Sequence, residues 1–317
     1  MGRWTHIRRA AVAAVAVIAL APACTFGDDS GGDGNTPSDG SGGGPVLAVK
    51  IDNVGPARPQ TGLDAADIVY AEQVEAGLSR LMAVYGDPER LPSIVGPVRS
   101  ARETDLELLR QFDDPALAFS GAQSKLLPLI SDAPLRGLTP GKAPADAYFR
   151  DGNRAAPHNL FVRPKALGLE QGDGDGLAST GFVFGPRPKA GGTPEQERTV
   201  RFPAARFTFT WSTEQERWLI AMDGERAITS DGKGLAASTV VVQYTKVRES
   251  RFQDRSGNNT PFTETVGSGK AQVLRDGRAY EARWERPDAE DGTEFTTPDG
   301  EPLPFAKGQV WVVYAKA

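Results

Sequence analysis

"ADIVYAEQVEAGLSRLMAVYG", residues 66–86, is the stretch that decides the fold. Both halves are rich in residues that favour β-strands, and they meet at Gly77, where the backbone can reverse tightly. The pattern therefore predicts two antiparallel strands, over residues 66–77 and 78–86.

The segments on either side extend this pair into a mixed domain. "PVLAVKIDN" at 45–53 and "ALAFSG" at 116–121 predict further strands. Between them, Leu106, Leu109 and Phe112 recur at helical spacing, which predicts a helix from about 101 to 113 with Ser100 and Glu103 as its capping box. Strands alternating with helices predict an α/β (α+β) domain with a mixed sheet over residues 45–170.

The second half of the chain differs in composition and in residue pattern. Residues 171–198 are rich in Gly and Pro and read as a linker or domain edge. Short alternating segments follow, and "RDGRAYEARW" (275–284) predicts a hairpin whose turn is Asp276-Gly277. Residues 199–317 are therefore expected to form a smaller, mostly β domain. Its four tryptophans are expected in the core, with an exposed sugar-stacking platform as the alternative: Trp211, Trp218, Trp284 and Trp311.

The N-terminus carries an export signal. A basic start is followed by the apolar run 10–21, which is too short to cross a bilayer, so residues 1–23 are interpreted as a signal peptide. Cys24, the only cysteine, follows directly and is predicted to carry the lipid of a bacterial lipoprotein; a signal that is simply cleaved is the alternative. The Gly-, Ser- and Asp-rich residues 24–44 indicate a flexible tether. These features predict an extracytoplasmic protein, lipid-anchored to the bacterial cell membrane.

Composition excludes several classes of function. The 317 residues carry a formal net charge of −5, which argues against nucleic acid as a partner. The chain has no P-loop, no strand-borne G-x-G-x-x-G and no G-x-S-x-G elbow. One cysteine and two histidines are too few for a zinc site. No cofactor is indicated, although acidic residues leave a divalent cation such as Mg²⁺ open.

Arginines gather where the predicted helix begins. Arg99 and Arg102 flank Ser100 at a helix N-terminus, which already carries partial positive charge, and Arg80 on the preceding strand can join them. Guanidinium groups beside free backbone N–H groups would bind a phosphate or a carboxylate. "PHNLF" at 157–161 adds a histidine as a pocket-lining donor or proton carrier, or as a satisfied loop residue. The predicted ligand-binding residues are Arg80, Arg99, Ser100, Arg102, His158 and Asn159.

Acidic residues in the same region admit three interpretations. They can neutralise the arginines, hold a divalent cation or act as a general base. The residues concerned are Asp52, Asp67, Glu72, Glu75 and Asp105.

Taken together, these segments resemble a known family. "VKIDN", "ARPQTGL", "GPVRSAR" and "PHNLF" occur in this order in bacterial lipoproteins of the YerB type, and "GSGKAQVLRDGRAYEARW" with "GQVWVV" is similar to that family's second domain. The resemblance covers nearly all of residues 46–315 and implies a two-domain envelope protein without an established biochemical role. Ala76 stands where the family usually has one of two adjacent glycines.

A fainter similarity connects the first domain with the LytR-CpsA-Psr envelope glycopolymer transferases. It rests on "ADIVY", an arginine-bearing strand and a Pro-x-Arg step before a helix. It implies that Arg99 and Arg102 hold phosphate and that Asp67 or Asp105 is a metal ligand or base. The arginine-aspartate pair of those enzymes is absent, because Ser100 follows Arg99.

Three hypotheses about function follow, and the sequence leaves open whether the protein is an enzyme. The first is an envelope binding or accessory protein that grips an anionic envelope ligand through the arginines. The second is a transferase or hydrolase acting on an envelope glycopolymer or polyprenyl phosphate. The third is a protein-interaction scaffold whose partner is another envelope protein.

Overall fold

The computed structural model describes residues 46–169, 176–254 and 257–317, which belong to one compact unit. The predicted signal peptide (1–23), the lipidated Cys24, the tether (24–44) and residues 171–175 of the predicted linker lie outside the described residues. Within the described ranges, no helix is both long enough and apolar enough to cross a membrane.

The described chain contains mostly strands, with two short α-helices. The elements of the first half are β1 (Leu47–Asp52), β2 (Ile68–Gln73), β3 (Ser79–Tyr85), α1 (Glu103–Leu109), β4 (Ala116–Ala118), α2 (Leu127–Asp132), β5 (Arg136–Leu138), β6 (Tyr148–Arg150) and β7 (Leu160–Val162). Those of the second half are β8 (Thr193–Pro194), β9 (Glu197–Arg201), β10 (Arg206–Ser212), β11 (Arg217–Met222), β12 (Glu225–Arg226), β13 (Ala236–Ala237), β14 (Thr239–Thr245), β15 (Val247–Gln253), β16 (Asn259–Thr263), β17 (Gly267–Arg275), β18 (Arg278–Arg286), β19 (Glu294–Thr296) and β20 (Val310–Lys316).

The predicted strand pair lies in the middle of the main sheet. β2 and β3 are antiparallel, and β1 pairs with the other side of β3. The turn between β2 and β3 passes through Ala76 (φ 56°) and Gly77 (φ 69°), both left-handed. Ala76 therefore adopts a conformation that costs a residue with a Cβ atom about 1–2 kcal/mol.

The main sheet is mixed and takes strands from both halves of the chain. Its eleven strands run in the order β19-β18-β17-β14-β20-β2-β3-β1-β4-β5, with β8 on β18. β2 and β20 pair in parallel from Ile68↔Val310 to Ala71↔Val313, so hydrogen bonds of one sheet join the regions on either side of residues 171–198. A five-stranded sheet in the order β12-β11-β10-β9, with β13 on β11, covers one face. β15–β16 and β6–β7 form two-stranded ribbons.

The mixed sheet expected for residues 45–170 is present, but helix contributes less than predicted. α1 has seven residues and begins at Glu103. The predicted capping box of Ser100 and Glu103 is wrong: the Asp105 carboxylate accepts from the backbone N–H of Arg102 at 2.7 Å, which makes Arg102 the N-cap. Ser100 lies instead in an extended segment, where Arg99 N donates to Lys50 O (2.8 Å) and Ser120 N donates to Arg99 O (2.9 Å).

Two apolar cores lie on opposite faces of the main sheet. On one face, Phe207, Phe209 and Trp218 of the smaller sheet pack with Trp311 of β20. On the other face, Leu108 and Leu109 of α1 pack against β-sheet side chains. The core interpretation of the tryptophans holds for Trp218, Trp284 and Trp311, which are buried. Trp211 is half-buried against Trp218. The predicted hairpin turn at Asp276-Gly277 is confirmed between β17 and β18.

Candidate functional site

The predicted arginines meet at one edge of the main sheet. β1 and β4 are parallel neighbours, so their carboxyl ends lie at the same edge. The segment from Pro97 to Arg99 passes between these ends, fixed by a hydrogen bond from Asp52 N to Pro97 O (2.9 Å) and by those of Arg99 described above. The carboxyl ends of parallel strands are where open sheets that contain helices commonly bind ligands.

Arg80 occupies the centre of this group. In the register of the sheet it lies opposite Asp52 of β1 and opposite Glu72 of β2. Its side chain is 7% exposed, and its Nη1 donates to Ser100 O at 3.1 Å. Its Nε has no hydrogen-bond partner, and none of the described carboxylates forms an ion pair with it. The pKa of Arg80 is lowered to about 10. Burial is the main cause, and the positive charge of Arg102 is the second.

Arg102 is neutralised within the protein. Its Nε and Nη2 lie 2.6 and 2.7 Å from the two oxygens of Glu75, and its Nη1 donates to Ala101 O at 2.9 Å. Thr260 Oγ1 of the β15–β16 ribbon donates to the same carboxylate at 2.8 Å. Burial opposes ionisation of Glu75, but the hydrogen bond and charge of Arg102 hold its pKa below the ordinary value. Glu75 therefore neutralises an arginine, which is the first of the three interpretations of the acidic residues.

Arg99 and His158 share one carboxylate oxygen. Asp52 Oδ2 accepts from Arg99 Nε at 2.8 Å and lies 2.8 Å from His158 Nδ1. Asp52 is buried, whereas the side chains of Arg99 and His158 are 27% and 19% exposed. A carboxylate only accepts, so the imidazole nitrogen that faces Asp52 carries a proton, and in the neutral ring Nε2 is the nitrogen with the lone pair. The Nη groups of Arg99 have no partner among the described residues.

A buried charge cluster lies on the same face of the sheet. Lys50 Nζ bonds to Asp105 Oδ1 at 2.7 Å and to Glu72 Oε1, and all three side chains are buried. Burial raises the pKa of Glu72 to about 7; Lys50 opposes the rise and the charge of Asp105 adds to it. The acids at this edge thus bind cationic side chains. The described ranges contain no group of three His, Cys, Asp or Glu that could hold a metal ion.

Two of the predicted residues are engaged elsewhere. Asp67 precedes β2 and therefore lies at the opposite edge of the sheet, where it accepts from Gly86 N (2.8 Å) and pairs with Arg90 (3.2 Å). Its predicted place among the arginines is wrong because the six-residue strand β2 lies between Asp67 and Glu75. Asn159 accepts from Arg150 Nη1 at 2.7 Å, next to the β6–β7 ribbon.

At the helix N-terminus, where amide donors were predicted, the backbone N–H of Arg102 is used within the protein. The Asp105 carboxylate occupies that position, and the helix itself is short. Sequence reasoning also missed Ser120, whose Oγ lies 3.4 Å from Ser100 Oγ. Its position just after β4 was the available signal, since β4 was predicted as a strand.

Comparisons with known proteins give a consistent result. The family described as "Protein of unknown function (DUF3048) N-terminal domain" matches residues 34–175, and its C-terminal domain matches residues 198–312. "Putative lipoprotein YerB" of Bacillus subtilis (strain 168) is 25% identical over 279 residues, covering 84% of this chain and 80% of that protein. The crystal structure of YerB protein from Bacillus subtilis is similar with a TM-score of 0.70 at 20% identity, covering 87% of this chain and 92% of the other, which shows a shared fold.

Proposed function

The chain belongs to the DUF3048 family of proteins of unknown function, and from that premise we propose that it is a lipid-anchored, extracytoplasmic envelope protein that binds an anionic group through Arg80 and Arg99. The anchor is supported by the signal-like residues 1–23, by Cys24 directly after them, and by the lipoprotein name of the Bacillus subtilis relative. The binding partner at the cell surface is then a phosphate- or carboxylate-bearing envelope component.

The observation that carries the binding proposal is the unpaired state of Arg80. A buried guanidinium without a carboxylate partner is costly, because its charge has left water without gaining an ion pair. The two acids beside it are bound by other cations: Asp52 by Arg99 and Glu72 by Lys50. An anion that reached Arg80 would supply the missing acceptor.

The charge balance of the cluster favours the same conclusion. Four cationic side chains face four carboxylates: Lys50, Arg80, Arg99 and Arg102 against Asp52, Glu72, Glu75 and Asp105. Since the pKa of Glu72 is about 7, this carboxyl carries a proton part of the time at neutral pH. The cluster then has a positive excess, which attracts anions.

Forked guanidinium donors suit phosphate and carboxylate oxygens. Arg99 brings its two Nη groups, Arg80 its unpaired Nε, and the Ser100 and Ser120 hydroxyls lie beside them. Arg102 is not expected to bind the anion directly, because its Nε and Nη2 already bind the two carboxylate oxygens of Glu75.

A second candidate function is favoured by the His158–Asp52 pair. A partly exposed imidazole that is oriented by a buried carboxylate is the arrangement of a general base. Together with Arg99 on the same Asp52 oxygen, it would suit a transferase or hydrolase acting on a phosphorylated envelope glycan or lipid. In that case His158→Asn abolishes turnover of a labelled polyprenyl-linked glycan while leaving pyrophosphate affinity within about twofold of wild type.

Binding is tested by isothermal titration of the soluble protein with pyrophosphate and, separately, with succinate. We expect one of these anions to bind, and Arg99→Gln to weaken that binding at least about tenfold, since hydrogen bonds to charged groups contribute about 1.5–3 kcal/mol. Arg90→Gln is the matched control, because Arg90 is exposed and lies at the opposite edge of the sheet with Asp67. Absence of binding at millimolar anion, or equal affinity in Arg99→Gln, would contradict the proposal.

A further inference from the structure

A second potential binding site lies apart from the arginine cluster. A cavity of about 390 Å³ is situated at the carboxyl end of β14, beside the start of β17 and the C-terminal residue Ala317. Its walls include Tyr244, Val266 and Trp284, and none of the residues of the arginine cluster lines it. Cavities of roughly 300–1,000 Å³ with mostly apolar walls are the usual size of small-molecule sites.

The apolar wall is held rigidly in place. Trp284 Nε1 donates to Tyr244 O at 2.9 Å, which fixes the indole. Gly269 makes this possible, because a Cβ atom there would lie 2.7 Å from the indole nitrogen. Val266 is held as well, since its N–H and that of Thr265 both donate to Glu107 Oε1 of α1. A wall that is already ordered loses little entropy when a ligand binds.

The cavity is bordered by two cationic side chains that have no acidic partner among the described residues. Lys246 and Lys270 line it, both are exposed, and neither forms an ion pair with a described carboxylate. The only acidic side chain in its lining, Glu264, accepts from Arg248 Nε at 3.3 Å. Thr245 also lines the cavity; it is 1% exposed, and its hydroxyl has no hydrogen-bond partner.

We propose that this cavity binds a small organic anion, whose acidic group lies between Lys246 and Lys270 and whose apolar ring face packs on Val266 and Trp284. The ring can be that of a sugar or of an aromatic acid, since both offer an apolar face to aromatic side chains.

The test is isothermal titration of the chain starting at residue 24 with three probes: glucose 6-phosphate, phenyl phosphate and inorganic phosphate. We expect one of the two organic phosphates to bind at least about tenfold more tightly than inorganic phosphate, because only the organic probes have a ring for the apolar wall. Which of the two binds identifies the kind of ring. Binding is also expected to shift the Trp284 indole N–H resonance, assigned from the Trp284→Phe spectrum.

Three variants locate the binding. The double variant Lys246→Gln/Lys270→Gln should lower the affinity at least about tenfold. Lys307→Gln removes the same kind of charge from an exposed lysine outside the cavity and should leave the affinity unchanged. Arg99→Gln, which disables the arginine cluster, should also leave it unchanged.

The proposal is overturned by any of four results, of which the first three concern the probes and the double lysine variant. These are no binding of either organic phosphate at millimolar concentration, equal affinity for inorganic phosphate, and wild-type affinity in the double lysine variant. A loss of affinity in Arg99→Gln would equally overturn it, because the probes would then be binding at the arginine cluster. Failure here leaves the function proposed for Arg80 and Arg99 unaffected.

Discussion

Arg80 lies in a row of charged side chains that crosses three neighbouring strands. The register places Asp52 on one side of it and Glu72 on the other, and directly opposed residues project from the same face of a sheet. Each acid in the row forms its ion pair with another cation, Asp52 with Arg99 and Glu72 with Lys50. Arg80 therefore gains only part of the attraction that the row offers, which explains why burial still lowers its pKa.

Glu72 gives this row a pH dependence that can be measured. Its pKa rises from 4.5 to about 7 in the folded protein, so between these values the folded state holds a proton that the unfolded state has released. This contribution to stability is complete below about pH 4.5 and is lost as the pH rises through about 7. The groups that face it are Lys50, Asp105 and Arg80.

We expect the free energy of unfolding of wild type to fall by up to about 3 kcal/mol between pH 5 and pH 8 because of this group. Glu72→Gln should remove that fall, since an amide does not titrate. Urea denaturation at the two pH values measures it, with the exposed Glu294→Gln as control. An unchanged pH slope in Glu72→Gln would show that another group is responsible.

At this scale the sequence predicted part of the site. Arg99 and Arg102 lie as predicted beside acidic residues named in advance, Asp52 and Glu75. Asp67 was grouped with these acids, although five residues of extended strand separate it from Glu72. The contact of His158 with Asp52 joins residues that are 106 positions apart. No local pattern encodes that distance, because it depends on how the β6–β7 ribbon packs beside β1.

At the scale of elements, α1 is determined by its two ends. Its beginning is set by Asp105, which bonds to Arg102 N, and by the extended residues 99–101, which bond to neighbouring strands. Of the apolar face that helical spacing predicted, Leu109 and Phe112 are buried and Leu106 is half-buried; Leu108, which that spacing did not include, is buried as well. The predicted helix was too long because side-chain periodicity does not show that the backbone before residue 102 is hydrogen-bonded to the sheet instead.

The other end of α1 depends on Arg286 of β18. This arginine is fully buried, and its Nη2 donates to Glu107 O (2.9 Å) and Leu108 O (3.4 Å) in the last turn of the helix. Its Nη1 donates to Thr265 Oγ1 at 3.0 Å. A cation at this position complements both the unpaired carbonyl groups and the negative end of the helix dipole.

Arg286→Leu should therefore lower the free energy of unfolding by about 2–5 kcal/mol, because several buried carbonyl oxygens lose their donor. The substitution should accelerate hydrogen exchange more in residues 103–109 than in β1. Arg283→Leu serves as control, since Arg283 lies on the same strand and is exposed. If both variants unfold at the same urea concentration, Arg286 does not stabilise α1.

At the scale of the whole molecule, the two halves of the chain share the main sheet and both apolar cores. β20 lies between β14 and β2, so the last strand of the chain joins the first half to the second. Val200, Phe207 and Trp218 of the second half belong to the same apolar cluster as Leu47 and Val49 of the first. The composition of residues 171–198 predicted a boundary in sequence, but pairing between strands about 240 residues apart leaves no local signal.

This shared sheet predicts a single cooperative unfolding transition for residues 46–317. Separating β2 from β20 would expose unpaired backbone groups and apolar side chains on both strands, so neither half should remain folded once the other unfolds. Tryptophan fluorescence reports the second half, which contains Trp211, Trp218, Trp284 and Trp311. A chain starting at residue 24 avoids the signal from Trp4.

Hydrogen exchange of peptides from β1 and β3, read by mass spectrometry along the same urea series, reports the first half. We expect the two midpoints to coincide within the error of the measurement, and a substitution at the shared pairing, Val69→Ala, to shift both equally. Val69 is buried on β2 opposite Trp311 of β20, so removing its methyl groups weakens the contact that both halves share. Two separate midpoints, or a shift confined to one probe, would mean that each half folds on its own and that the sheet is only an interface between them.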